Sequence, residues 1–158
     1  MWIGNISGAI TFAGIAICWV GCGPNSLQQA KQVFSAEEIA HGTQLIKTYC
    51  NTCHGVGDRE MDAMLAPPLL GVRDAYLERH PEADAFVSAM VAFTRHPKRQ
   101  NSLMPYALDV YGLKGSVSLS ETDLRLTAIA VFAEQVERPT WMRDYRKQHP
   151  GTPANESR

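Results

Sequence analysis

The chain has 158 residues, 45% of them hydrophobic, which is room for one globular domain with a core and for extensions at its ends. Fifteen lysines and arginines against sixteen aspartates and glutamates give a formal net charge of −1. This balance excludes a polycationic surface of the kind that binds nucleic acid, so a protein partner must be met through a local patch.

The first 22 residues predict an export segment. No charged residue precedes Lys31, and residues 3–20 are largely apolar and lead to Gly21-Cys22-Gly23. Small residues next to a cysteine resemble the signal of a bacterial lipoprotein, with Cys22 as the lipidated position. Plain cleavage nearby and retention as a membrane anchor stay open, since the apolar run is just long enough to span a bilayer. All three alternatives predict an exported, periplasmic protein, and residues 23–33 are expected to form a polar tether.

A capping box predicts the start of the first helix. The Ser35 hydroxyl can accept a hydrogen bond from the Glu38 amide while the Glu38 side chain reaches back to Ser35. The helix is expected to run to about residue 49, with an apolar stripe formed by Ile39, Gly42, Ile46 and Tyr49. Glycine costs a helix about 1 kcal/mol against alanine, so Gly42 indicates the close approach of another helix.

Directly after this helix stands the run Cys50-Asn51-Thr52-Cys53-His54. In such a C-x-x-C-H pattern two thiols add to the vinyl groups of a c-type haem and the adjacent imidazole reaches the iron. Chance would produce it only roughly 0.003 times in a chain of this composition. A thioredoxin-like pair would need a βαβ context and a zinc site a second ligand pair, whereas the other cysteines, Cys18 and Cys22, lie in or beside the leader. We therefore expect one haem c, bound through Cys50 and Cys53 and ligated by His54.

Gly42, Ile46 and Cys50 follow one another at intervals of four residues, and this spacing resembles the N-terminal helix of the small class I cytochromes c. The resemblance covers residues 34–138. It implies an all-α fold of about three to five helices wrapped round one haem, with the N- and C-terminal helices crossing at the glycine. The family usually has an aromatic residue where Ile46 stands, so packing there is expected to differ.

Residues 66–72 resemble the Pro-x-Leu turn that follows the haem motif in this family. The resemblance implies that a proline carbonyl accepts a hydrogen bond from the proximal imidazole and fixes its orientation. The register favours Pro67 over Pro68. A plain rigid turn is the alternative interpretation.

The middle of the chain predicts a helical turn over residues 74–79 and a second helix from Pro81 to a point before Pro97. The apolar face of this helix is formed by Phe86, Val87, Met90 and Val91. Met90 is therefore expected to be a core residue.

Met104, followed by Pro105, is the expected second iron ligand. A neutral thioether prefers ferrous iron and raises the reduction potential, and the Met-Pro pair resembles the distal ligand of the family. His96 is the competing ligand, with a solvated loop histidine as the alternative interpretation. Remote alternatives are Met61, Met64 and Met142.

The closing helix is predicted to begin at Ser120, whose hydroxyl caps the amide of Asp123, and to end near Arg138-Pro139. The family resemblance implies that Phe132 contacts Gly42 where the two terminal helices cross. Residues 139–158 are expected to be mostly extended or disordered, with Trp141 free to dock on the domain or a partner.

The resemblance implies a carrier of single electrons between redox proteins, not an enzyme with a small-molecule substrate. A basic cluster of Arg95, Lys98 and Arg99 could steer an acidic partner or pair with a haem propionate, and a solvated surface is the alternative. Two other functions stay open: a fixed cytochrome subunit of a membrane-associated oxidoreductase, and a haem sensor or peroxidase-like protein with an open distal site.

Overall fold

The computed structural model describes residues 26–57, 59 and 63–141. These residues form an all-α protein with no strand among them. Its helices are α1 (Ser26–Val33), α2 (Ala36–Leu45), α3 (Asn51–His54), α4 (Leu69–Arg79), α5 (Ala83–Arg95), α6 (Pro105–Tyr111) and α7 (Glu121–Phe132). A π-helical turn, Ile46–Cys50, joins α2 to α3, and a 3-10 turn, Arg99–Asn101, precedes α6. The predicted export segment lies outside the described residues, among which no helix is long and apolar enough to cross a membrane.

The predicted capping box starts α2. Ser35 Oγ accepts a hydrogen bond from the Glu38 amide at 3.1 Å, and Glu38 Oε2 accepts one from the Ser35 amide at 2.9 Å. The helical run then continues through the π turn to His54, beyond the expected end at residue 49. A π turn takes up one more residue than an α turn and shifts the register of the residues after it. This explains why Tyr49 is half exposed, although the apolar stripe predicted it to be buried.

Residues 26–33 differ from the expected tether, because they form the helix α1. Ala30 is fully buried, and the Phe34 ring that follows α1 packs edge-on against Phe132 with centroids 6.3 Å apart. Gln29 also donates to Glu82 at 3.2 Å. The packed part of the chain therefore begins before residue 34.

The core lies between α2, α5 and α7. Its fully buried large side chains are Phe86, Val87, Ile129, Val131 and Phe132. The centroid of the Phe86 ring lies 5.2 Å from that of Phe132 and 5.7 Å from that of Tyr76, both in edge-to-face geometry. Such pairs add about 0.5–1.5 kcal/mol each beyond the area they bury, so the aromatic chain ties α4 to both core helices.

Gly42 lies where α2 crosses α7, as the sequence predicts. A Cβ at this position would stand 2.0 Å from the Leu126 carbonyl oxygen and 2.9 Å from the Ala130 Cβ. The crossing therefore depends on the missing side chain. The expected partner was wrong, because Phe132 lies further along α7 and packs on Phe34 and Phe86 instead.

Other helix bounds differ from the predictions. Helix α4 begins at Leu69, directly after Pro68, and is much longer than the single turn expected over residues 74–79. Helix α5 begins at Ala83 and not at Pro81, with Glu82 at its N-cap. Ser120 caps α7 as predicted.

Helix α7 ends at Phe132, not near Arg138. Glu134 adopts a left-handed φ of 61°, and the amides of Glu134 and Gln135 bond back to the carbonyls of Val131 and Ala130 at 3.0 and 2.9 Å. This is a Schellman ending with a glutamate where glycine is usual. The buried guanidinium of Arg73 stabilises it by donating to the Phe132 carbonyl at 3.2 Å and pairing with Glu134 at 3.5 Å.

Candidate haem-binding site

His54 ends the short helix α3, and its ring is held by Pro67. The distance between His54 Nδ1 and the Pro67 carbonyl oxygen is 2.7 Å. A proline carbonyl can only accept, so Nδ1 donates and carries the proton. The nitrogen left with a lone pair for a metal is Nε2. The geometry matches the expected hydrogen bond to Pro67, and Pro68 instead stands at the N-cap of α4.

The surroundings of this imidazole favour its neutral form. Burial lowers the pKa of His54 below its usual value, and the hydrogen bond to Pro67 opposes that shift with a smaller effect. A histidine must be neutral to bind a metal ion, because a protonated ring has no free lone pair. The hydrogen bond to Pro67 thus gives His54 the tautomer of a metal ligand, and burial favours the neutral form that such a ligand needs.

His54 and Met104 line one cavity, which is walled by α4, α5, α6 and the loop after α6. Its enclosed volume is about 180 Å³, below the range of about 300–1,000 Å³ typical of organic-ligand sites. Most of the lining is apolar, as at Leu69, Val72 and Phe93. Such a wall excludes water and lowers the local dielectric constant around a bound group.

Met104 is held in place by its neighbours. It is 6% exposed and packs with Ala75 and Ala107. Its amide donates to Ser102 Oγ at 3.0 Å, and Pro105 follows as the first residue of α6. The proline fixes φ and thereby restricts the loop that carries the thioether.

Met90 also lines this cavity, but it belongs to the main core cluster on α5, in agreement with its expected core role. Met64 is buried outside the cavity wall. His96 is exposed and borders a separate depression next to Arg95 and Glu121. Met61 and Met142 lie outside the described residues. Within the described part of the chain, Met104 is thus the loop side chain that shares the cavity with His54 and carries a soft donor.

Cys50 and Cys53 are free thiols, and they lie on the helical segment beside the cavity but not in its wall. Burial, helped by the neighbouring Cys53, raises the pKa of Cys50 to about 11. A thioredoxin-like pair needs a lowered thiol pKa, so this environment disfavours redox exchange between the two. No group of three or more His, Cys, Asp or Glu side chains that could hold a metal ion is found within the described ranges.

The sequence placed Leu69 and Val72 in the Pro-x-Leu turn but did not predict the wall that α4 forms around the site. Leu69, Val72 and Tyr76 face the cavity from α4 and follow the i, i+3, i+7 spacing that could have revealed this helix. Burial raises the pKa of Tyr76 to about 12, so its phenol stays neutral. The loop of residues 112–117 forms the mouth of the cavity without any motif that would have identified it.

Comparison of the chain with protein-family models, curated proteins and solved structures found no significant match. A functional assignment therefore rests on the side chains around the cavity.

Proposed function

We propose that this chain is a monohaem c-type cytochrome with a class I cytochrome c fold, which carries single electrons between redox proteins by outer-sphere transfer. In this proposal Cys50 and Cys53 attach the haem, and His54 and Met104 ligate its iron. The haem supplies the change of oxidation state, and the polypeptide supplies burial, orientation and two fixed ligands.

One observation carries the proposal. The histidine of a C-x-x-C-H motif has its Nδ1 committed to a proline carbonyl, and it lines the same apolar cavity as a buried loop methionine. Neither the hydrogen bond nor the shared cavity follows from the motif itself. Their coincidence at one cavity supports a haem more strongly than the motif alone.

The surrounding residues would perform definite tasks in such a protein. Pro67 holds the imidazole in one orientation and raises its basicity as a ligand. The restricted loop around Met104 keeps a weakly bonding sulfur close, so that little has to move when the charge of the iron changes. The apolar wall keeps solvent out, which limits solvent reorganisation.

Absorption spectra of the oxidised and reduced protein, with a pyridine haemochrome assay, test the proposal directly. We expect one haem per chain, resistant to acid acetone because it is covalently bound. A colourless exported protein, or a haem that acid acetone removes, would contradict the proposal.

The second ligand is tested by a matched pair of substitutions, Met104→Ala and Met90→Ala. Both truncate a methionine that lines the same cavity. If Met104 ligates the iron, Met104→Ala abolishes the weak far-red sulfur-to-iron band and lowers the reduction potential, whereas Met90→Ala leaves the band in place. Met90→Ala should instead destabilise the core by about 2–4 kcal/mol in urea unfolding. Survival of the band in Met104→Ala would show that another ligand is used.

Export and partners are part of the same proposal. Covalent haem attachment takes place outside the cytoplasm, so we place the protein in the periplasm, tethered to the membrane if Cys22 is lipidated or the leader is retained. Intact-mass measurement of the native protein distinguishes an acylated Cys22, a free N-terminus nearby and a retained Met1. Rapid carbon monoxide binding to the reduced protein would favour an open distal site, and co-purification with a larger enzyme at high salt would favour a fixed subunit.

A further inference from the structure

The carboxylate of Glu137 lies against the segment that contains both cysteines and His54. Its Oε1 accepts a hydrogen bond from the side-chain amide of Asn51 at 2.9 Å. Its Oε2 accepts backbone N–H groups of Val56 at 2.6 Å and Gly57 at 3.1 Å. The Glu137 side chain thus bonds to Asn51, which follows the first cysteine, and to Val56 and Gly57, which lie beyond His54.

These bonds meet a local need of the segment. Helix α3 has four residues and ends at His54, and the Gly55 that follows is extended, so the amides of Val56 and Gly57 lie beyond its hydrogen-bond pattern. Val56 is also buried, and an unsatisfied buried amide is costly. Hydrogen bonds to a carboxylate are roughly twice as strong as neutral ones, so one ionised side chain holds both amides firmly.

A cation binds carbonyl groups of the same segment. The guanidinium of Arg59 donates to the carbonyls of Gly55 at 3.3 Å and Thr52 at 3.5 Å, at the C-terminal end of α3 where positive charge is favoured. The Arg59 carbonyl in turn accepts from the Trp141 indole at 3.3 Å. Glu137 was expected at the end of the closing helix and Trp141 in a mostly extended or disordered tail. In the structure Glu137 contacts the C-x-x-C-H segment directly, and Trp141 contacts it through Arg59.

We propose that Glu137 is a positioning residue that holds the haem-attachment segment in one conformation. By fixing Asn51 on one side of His54 and Val56 and Gly57 on the other, it orders the thiols and keeps the imidazole aligned with Pro67. This inference rests on the proposed function, because positioning has a purpose only if the motif carries a haem.

Hydrogen exchange in the reduced, haem-loaded full chain, followed by NMR, tests this role. Glu137→Ala should speed exchange of the Val56 and Gly57 amides about tenfold, as expected for losing a hydrogen bond to a charged acceptor. Exchange of the His54 Nδ1 proton with solvent should become faster as well, while the exchange rates of amides in the middle of α5 stay unchanged. Glu137→Gln keeps an acceptor oxygen and should restore slow exchange. Glu78→Ala removes an exposed carboxylate from α4 and should change none of these rates.

Three results would overturn the inference: unchanged exchange at Val56 and Gly57, equal acceleration in α5, or faster amides with an unaffected His54 proton. The second would indicate a general loss of stability and the third a contact without positioning. If Glu137→Ala fails to accumulate, Glu137→Asp replaces it and is expected to give a smaller acceleration at the same three protons. A colourless wild-type protein would instead defeat the proposed function, and it is recognised before any variant is made.

Discussion

The wall of the cavity that carries His54 is held by hydrogen bonds and a close helix crossing, whereas the wall that carries Met104 is held by a small apolar cluster. On the His54 side, Pro67 binds the ring, Glu137 binds the main chain on both sides of it, and α2 crosses α7 at Gly42. On the Met104 side, the buried cluster consists of Met104 with Ala75 and Ala107. The first wall therefore depends on several contacts across the fold, and the second on one small apolar cluster between α4 and α6.

Charged contacts show the same difference. Arg73 is buried and caps the end of α7 from α4. Near Met104, Arg99 bonds to Asp109 at 2.6 Å, but both side chains are mostly exposed. Exposed pairs contribute little and are screened by salt. Local opening is therefore expected on the Met104 side at a smaller free energy than on the His54 side.

This arrangement suits the proposed ligand set. A thioether-linked haem with a fixed imidazole cannot leave one side, so that side gains from rigidity. The bond from sulfur to iron is weak and breaks without loss of the group, so a locally held loop can carry it. The difference between the two sides makes three predictions, given from the largest effect to the smallest.

The largest effect is expected at Gly42, where the His54 side meets α7. Gly42→Ala places a Cβ 2.0 Å from the Leu126 carbonyl oxygen, and backbone atoms cannot move aside easily. We expect a loss of about 3 kcal/mol in the free energy of unfolding, measured in urea. Gly115→Ala is the matched control, because a Cβ there meets nothing within 4 Å, and it should change stability by less than about 0.5 kcal/mol. Equal stability of the two variants would mean that the helices do not cross as described.

The second effect concerns Tyr76, which contacts the core through Phe86 and also lines the cavity. Burial raises the pKa of Tyr76 to about 12, from an unfolded value near 10. A raised folded pKa means that this contribution to stability is complete below pH 10 and is lost as the pH rises from 10 towards 12. The free energies of unfolding of wild type and Tyr76→Phe should therefore diverge above pH 10, by at most about 2–3 kcal/mol. Parallel curves up to pH 11.5 would show that water reaches the phenol and that α4 belongs to the loosely held side.

Much of this fold follows from local sequence signals, and the confirmed ones share a short range. The Ser35 and Ser120 caps are confirmed because a cap depends on residues three apart. Gly42 predicted a close helix crossing, because glycine destabilises a helix and is expected inside one where a side chain would not fit. The helical character of α4 was mostly missed because Pro67 and Pro68 dominate its start, although a proline is compatible with the position before a helix.

What the sequence could not predict depends on contacts between distant residues. The partner of Gly42 is Leu126 and not Phe132, a choice fixed by the crossing geometry of two helices. Glu137 is separated from Val56 by 81 residues, and no spacing rule connects them. For the site itself, the motif identified His54, and the Pro-x-Leu register identified Pro67, whereas the cavity wall required the packing of α4, α5 and α6.

The smallest effect on stability, and the most informative one about the Met104 side, is expected from Asp109→Asn. This substitution removes the partner of Arg99 beside α6. Because the pair is exposed, the free energy of unfolding should change by less than about 0.5 kcal/mol. Exchange of α6 amides such as Leu108, which bonds to the Met104 carbonyl at 3.3 Å, should nevertheless become measurably faster. At high salt the α6 amides of the wild type should exchange nearly as fast as those of the variant, because screening weakens an exposed ion pair.

Glu121→Gln provides the control, because it removes the partner of exposed Arg95 on the α5 and α7 side of the molecule. It should alter stability equally little and leave exchange in α6 unchanged. A loss of more than about 1 kcal/mol in Asp109→Asn alone would be too large for an exposed ion pair. In that case the Met104 side would be coupled to the whole fold as firmly as the His54 side, and the weak bond proposed for Met104 would depend on the sulfur itself and not on the loop that carries it.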